Sequence, residues 1–292
     1  MPHLIATAID ICVLAPYDSD SQVTQENSGG QKTKMRKSST IFAVACMLAM
    51  IAAAAIPAVA QDEAKEKPAM YSYFASWTIP RAQWAEMQKA DAADESTLQK
   101  ALADGTIIGY GSDMNLVHQP DGSTHDDWWS SMSMAGLVNV LDRFYKSSSV
   151  TSPALSSATR HSDQILQSRY YNWHSGSYKG AYTRVAQYKL KENAPDDAVE
   201  TLSKHLFVPL LEKMLAEGSI FEYEVDTEAI HTTDPGTFWV VFVAANGDGL
   251  DKFNAPVREL HKTNPLGGPA IDAMVDFTPH RDYLTSSTGT YK

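Results

Sequence analysis

Two stretches of this chain repeat one another at a constant offset of 113 residues. Lys100 to Ile107 and Lys213 to Ile220 share the same phrase, and the match runs on through Tyr110 with Tyr223, Asp113 with Asp226 and His118 with His231. Eight of the nineteen positions from Lys100 to His118 are identical, where unrelated segments of ordinary composition would share about one. A duplication of this length constrains the fold more than any local propensity, because each copy must be the same supersecondary unit.

The first sixty residues stand apart. Met35-Arg36-Lys37 is a short basic start, Thr40 to Ile56 is an apolar run rich in alanine, and Pro57 precedes Ala58-Val59-Ala60 just before polar Gln61-Asp62-Glu63. That is the three-part layout of a secretory signal peptide, which predicts a mature chain beginning at Gln61 in the periplasm or outside the cell. Retention as an anchor is the competing reading, disfavoured by the short run and the lack of flanking charge. Residues 1–34 precede the basic start and look like upstream sequence, with Met35 the initiator. Both cysteines, Cys12 and Cys46, fall in the removed part. Residues 61–292 therefore hold no disulfide, thiolate ligand or nucleophilic thiol. Such a chain depends on core size, and 232 residues suffice. Residues 1–60 carry four basic and four acidic side chains, so the rest keeps the net charge of −11. With no basic stripe, nucleic acid is not an expected partner.

The second copy is the easier to read. Tyr182 to Leu190 is a strand; Asn193-Ala194-Pro195 starts a helix whose Val199, Leu202, Leu206, Leu210 and Met214 share one face, with a kink expected at Pro209. Gly218 ends it. Ile220–His231 and Thr237–Ala245 are strands around the turn Asp234-Pro235-Gly236; Leu250, Phe253, Val257 and Leu260 mark a second helix, and Ala273–His280 a last strand. The first copy follows suit: strand Tyr71–Ile79, helix Arg81–Ala103, strand Thr106–His118, turn at Pro120, strand Asp127–Met134, helix Leu137–Tyr145 and strand Ile165–Trp173. Serine-rich Ser147–Ser162 reads as a loop able to act as a lid. Each copy is thus a ferredoxin-like βαββαβ unit, the first spanning 61–178 and the second 179–292.

Aromatic residues on both alternations of the strands argue that neither sheet face meets water. Two copies solve this by facing their sheets together, an α+β fold of two tandem ferredoxin-like repeats forming a pseudo-dimeric barrel. In element order and duplication this resembles the dimeric α/β-barrel superfamily, with both halves in one chain. Members include cofactor-free monooxygenases, muconolactone isomerases, haem-dependent chlorite-dismutase-like proteins and binding proteins; the resemblance implies a ligand inside the barrel or in a pocket beside it.

Candidate site residues come from the repeat. His118 and His231 end the second strand of each copy, His174 and His280 the fourth, and Tyr110 and Tyr223 lie eight residues before their histidines. Duplicated polar residues either cap strand ends twice or build one shared site between the sheets. A Tyr–His pair could move protons in oxygenation or isomerisation of a phenolic or ketone substrate. No metal is expected: His125-Asp126-Asp127 lacks a supporting motif. Haem, which the resemblance allows, would need an axial histidine from His174, His280 or His261, and no Cys-x-x-Cys-His exists for covalent attachment. The function expected is an exported protein binding a small apolar or aromatic molecule, with a cofactor-independent monooxygenase or isomerase, and a haem protein, as alternatives.

Overall fold

The computed structural model describes residues 64–147, 151–263 and 267–292. The expected upstream segment, signal peptide and cleavage point at Gln61 lie outside them, as does the side chain of His261.

The first copy comprises β1 (Met70–Thr78), a 3-10 turn at Arg81–Gln83, α1 (Trp84–Ala103), β2 (Gly109–Asn115), β3 (His125–Ser131), α2 (Met134–Ser147), the single turn α3 (Pro153–Ser156) and β4 (Arg160–Trp173). The second comprises β5 (Gly176–Leu190), α4 (Ala198–Leu202), a π-helical turn (Ser203–Phe207), α5 (Val208–Ala216), β6 (Ile220–Ile230), β7 (Thr237–Ala244), α6 (Gly247–Thr263), α7 (Gly267–Met274) and β8 (Val275–Tyr291). The repeated phrase is a helix stop. Gly105 and Gly218 take φ of +78° and +67° just past α1 and α5, where a left-handed residue lets the chain bond back onto the last carbonyls. Gly218 N–H donates to Leu215 O and Ser219 N–H to Met214 O, each at 2.9 Å. In place of the kink expected at Pro209, the helix is interrupted: Pro209 stands in the first turn of α5, directly after the π turn Ser203–Phe207, where its missing N–H is tolerated.

The eight strands close into one antiparallel barrel, in the order β1-β3-β2-β8-β5-β7-β6-β4. Within each copy the order is that of a ferredoxin-like sheet, β4-β1-β3-β2 and β8-β5-β7-β6. Three strands outrun their expected bounds. β4 starts at Arg160 rather than Ile165, β5 at Gly176 rather than Tyr182, and β8 runs to Tyr291 rather than stopping at His280. The added length of β8 makes one seam, pairing with β2 from Asn115↔Thr285 to Gly109↔Tyr291; the other seam joins β4 to β6 from Ile165↔Ile230 to Trp173↔Glu222. From residue 151 on, the stretch expected to be a loop is ordered structure. Ser152 caps α3 by accepting from Leu155 N–H, and Ala154 is buried with Ile79 and Met87.

The helices pack on the outside. Leu202, Leu211, Met214 and Leu215 cover Tyr223, Val225, Phe238, Val240 and Phe242 in the second copy. In the first, Leu137, Val140 and Phe144 cover Tyr73, Tyr110 and Trp129. One end of the interior is plugged by aromatics: Trp128, Tyr178 and Tyr291, with Phe74, Trp173 and Phe221 around them. Gly111 and Gly289 face each other across β2 and β8 and leave room for these rings. A Cβ on Gly111 would come 2.5 Å from Thr288 O and 2.6 Å from the Trp128 ring. Replacing Gly111 by Ala is therefore expected to destabilise the barrel by about 1–3 kcal/mol, seen as a lower urea midpoint with an unchanged m-value.

Candidate functional site

The duplicated side chains do not converge. Tyr110 and Tyr223 lie on the helix side of the barrel wall, not between the sheets. Strand alternation sends Asp113 and Asp226 inward instead, because the helices need the apolar face. Tyr223 is 1% exposed and its hydroxyl donates to Glu212 Oε1 at 2.5 Å; burial and that bond hold it well above the usual phenol range. His118 and His231 are exposed beyond the strand ends, with His118 5.7 Å from the Trp84 ring. His174 Nε2 lies 2.9 Å from Leu215 O. His280 stacks on Tyr188 at 4.6 Å, with Nδ1 2.8 Å from Gln187 O. Of the six, Tyr110 alone lines either of the two hollows described below.

The larger hollow is a cleft of about 810 Å³ between α1 and the outer face of the first sheet. It exists because α1 is a poor cover. Only Met87 and Ala101 of its twenty residues are buried, and Gln88, Asp91, Asp94, Glu95 and Leu98 overhang the sheet. At the constant offset, Asp94 and Glu95 stand where the second copy has Phe207 and Val208, both buried in the core. One copy fills this space with apolar side chains; the other leaves it open and acidic. That contrast was in the sequence, but as a difference between the copies, where the expected site was built on their identities.

The floor is aromatic. Tyr73 stacks on Trp129 with centroids 4.3 Å apart, and Trp77 on His161 at 3.5 Å. His161 Nδ1 lies 3.2 Å from Ser76 O and Nε2 3.1 Å from Asp163 Oδ1. Burial, then a hydrogen bond to Asp163, raises the Tyr73 hydroxyl, so Tyr73, Asp163 and His161 form a polar chain across the floor. Burial, then the nearby Asp94 charge, raises Asp91 to about 7. Asp127 is raised well above its usual range by burial and then by Asp91. His125, at the cleft's end, is lowered to about 4 by burial and then by His118.

Haem does not fit this cleft. Both ring nitrogens of His161 are engaged and its face lies on Trp77, while a wall of Asp91, Asp94, Glu95, Asp127 and Asp163 with Lys179 as its cation would repel propionates. His174 and His280 are tied to backbone carbonyls outside it. Among the described residues no three His, Asp or Glu side chains converge on a metal position.

The second hollow is the barrel interior opposite the aromatic plug, about 240 Å³. Glu222, Glu224 and Asp226 project into it from alternate positions of β6, facing Asp113 on β2 and Asp126 on β3. Asp113 accepts from Thr285 Oγ1 at 2.8 Å, from Ser287 Oγ and from Trp128 Nε1 at 3.1 Å.

No protein-family model matches the chain, and no curated protein matches it in sequence. Solved structures do. A provisionally named monooxygenase from Lactobacillus acidophilus NCFM superposes with a TM-score of 0.51 at 14% identity, covering 76% of this chain and 96% of that one. Another from Fusobacterium nucleatum gives 0.50 at 8%, covering 77% and 95%. A mutant chlorite dismutase from Candidatus Nitrospira defluvii gives 0.46 at 12%, covering 76% and 92%. At these identities the likeness is one of fold, the dimeric α/β barrel.

The buried acids make a testable statement about pH. Asp126, Asp91 and Glu222 are raised to about 6, 7 and 8, in each case by burial first. A carboxyl with a raised folded-state pKa binds its proton more tightly folded than unfolded, so stability is lost as pH climbs through that value. His125 works in the opposite sense only below its unfolded pKa of about 6.5. Between about pH 6.5 and 9 the melting temperature should fall steadily; a flat profile would show that these carboxyls stay charged in the fold.

Proposed function

We propose that this chain, a fused pair of dimeric α/β-barrel halves, is an exported protein that binds a small planar aromatic molecule in the cleft beneath α1. The carrying observation is the contrast between copies: Phe207 and Val208 close the space in one, and Asp94 and Glu95 hold it open over stacked rings in the other. An open, aromatic-floored cleft of this size with a few converging polar groups is how small-molecule sites are commonly built. The stacked rings of Tyr73 and Trp129 give the cleft an apolar floor, and Asp91, raised to about 7, can donate or accept a hydrogen bond at the ligand's edge.

A second reading shares the same cleft. The Tyr73–Asp163–His161 chain together with Asp91 supplies the groups that cofactor-independent oxygenation or isomerisation of a phenolic substrate requires: a base near neutral pH to take the phenol proton, and polar partners to hold the resulting anion. The monooxygenase names of the two structural neighbours fit this reading in kind.

Giving the first copy the second copy's side chains tests both. Asp94→Phe with Glu95→Val should fill the cleft, raise stability by about 1–3 kcal/mol and abolish quenching of Trp77 and Trp129 fluorescence by 2-naphthol. Quenching that survives the filled cleft would place the ligand elsewhere. Export is read separately: intact mass of protein recovered from a bacterial periplasm should correspond to a chain starting at Gln61, and a mass for a chain starting at Met35 would make the leader an anchor.

A further inference from the structure

Five carboxyls surround the interior hollow, and the hydrogen bonds within the protein do not use them up. Asp126 and Glu222 are each 4% exposed. Asp126 Oδ2 accepts from Asn115 Nδ2 at 2.7 Å, but its Oδ1 has no partner, and neither has Glu222 Oε2. Both residues line the hollow. Leaving a buried acceptor unpaired is unfavourable by roughly 1–3 kcal/mol, more where charge is involved, so two such atoms facing one space mark a place where donors are missing. Several wall hydroxyls are already committed: those of Ser72 and Ser130 bond to each other at 2.8 Å, and Thr285 and Ser287 are directed to Asp113.

We propose that the barrel interior is a second site, independent of the cleft beneath α1, and that it takes an aliphatic di- or polyamine. The charge selects a cation. The spacing selects an extended one. Glu222, Glu224 and Asp226 recur every second residue along β6, roughly 6.4–6.8 Å apart, close to the spacing of ammonium groups along a polyamine and too wide for convergence on a single metal ion. Each terminal ammonium brings three donors, and the methylenes between the nitrogens find Val185, Val241 and Leu166 on the wall. At about 240 Å³ the hollow is large enough for such a chain. Its exposed lining residues, Asp121, Arg160 and Ser162, lie at one end, so entry is by the mouth opposite the aromatic plug. The rim cation Arg160 is already bonded to the Asp121 carbonyl and lies 3.4 Å from its carboxylate.

Burial raises all five carboxyls, so the unliganded hollow holds protons that an entering ammonium displaces. Calorimetric titration of the whole protein with spermidine, near neutral pH and at low salt, should give a saturable heat that varies with the buffer's ionisation enthalpy in the sense of proton release. Glu222→Gln with Asp126→Asn should weaken binding at least tenfold while 2-naphthol still quenches the cleft tryptophans, which separates failure here from failure of the proposed function. Gln and Asn keep the shape of the protonated acids, and folding is checked by the thermal melt; should the double variant not fold, Asp126→Asn alone is read the same way. Absence of a saturable heat, undiminished binding in the variant, or loss of binding on Asp91→Asn with Asp163→Asn in the cleft would each overturn the proposal.

Discussion

The β2–β8 and β4–β6 ladders carry the architecture. Each copy alone is a four-stranded sheet with helices on one face, and its other face would expose Phe74 and Trp128 in the first copy or Tyr178 and Tyr291 in the second. Joining the sheets edge to edge buries those rings in one plug and removes all four unpaired strand edges at once. Closure also divides the molecule into an inside and an outside with different chemistry. The helices demand an apolar outer wall, so most strands turn their polar alternation inward (β7, with Trp239, Val241 and Val243 facing in, is the exception), and the interior becomes a lined hollow with buried acids.

How much of this was legible depended on where each residue's partners lie. The duplicated phrase announced the repeat, and its purpose is local: a glycine with positive φ and two carbonyls to satisfy at each helix end. The strand and helix order followed from periodicity. The long ends of β4, β5 and β8 did not, because Arg160–Gln164 and Ser286–Thr290 are polar, the composition of a loop; they are strands because of distant neighbours, Arg160–Gln164 lying on β1 of its own copy and Ser286–Thr290 on β2 of the other, more than 170 residues away. The same holds for the sense of the wall. Alternation put Tyr110 and Asp113 on opposite faces, but which face is inside is decided by the helices, which take Tyr110 and Tyr223 and leave Asp113 and Asp226 to the interior.

The two copies have kept their caps and diverged in their coverings. In the second, a π turn adds a residue between α4 and α5, and Leu202, Phe207 and Val208 settle onto the sheet. In the first, Asp91, Asp94 and Glu95 lie over stacked rings, and like charges crowd against Asp127. Such an arrangement is unfavourable for stability in itself, and on the function proposed above the unpacked, acid-rimmed cleft binds while its packed duplicate serves as scaffold.

Two residues, His174 and Ser175, separate β4 from β5 and so tie the halves into one chain. In a barrel assembled from two identical subunits, every change of sequence happens twice, and a cleft opened in one half is opened in the other, with double the loss of packing. A short covalent tie breaks that rule. Each substitution occurs once per barrel, the halves need not dissociate to be compared by selection, and one can drift toward chemistry while its twin goes on bearing the weight of the fold.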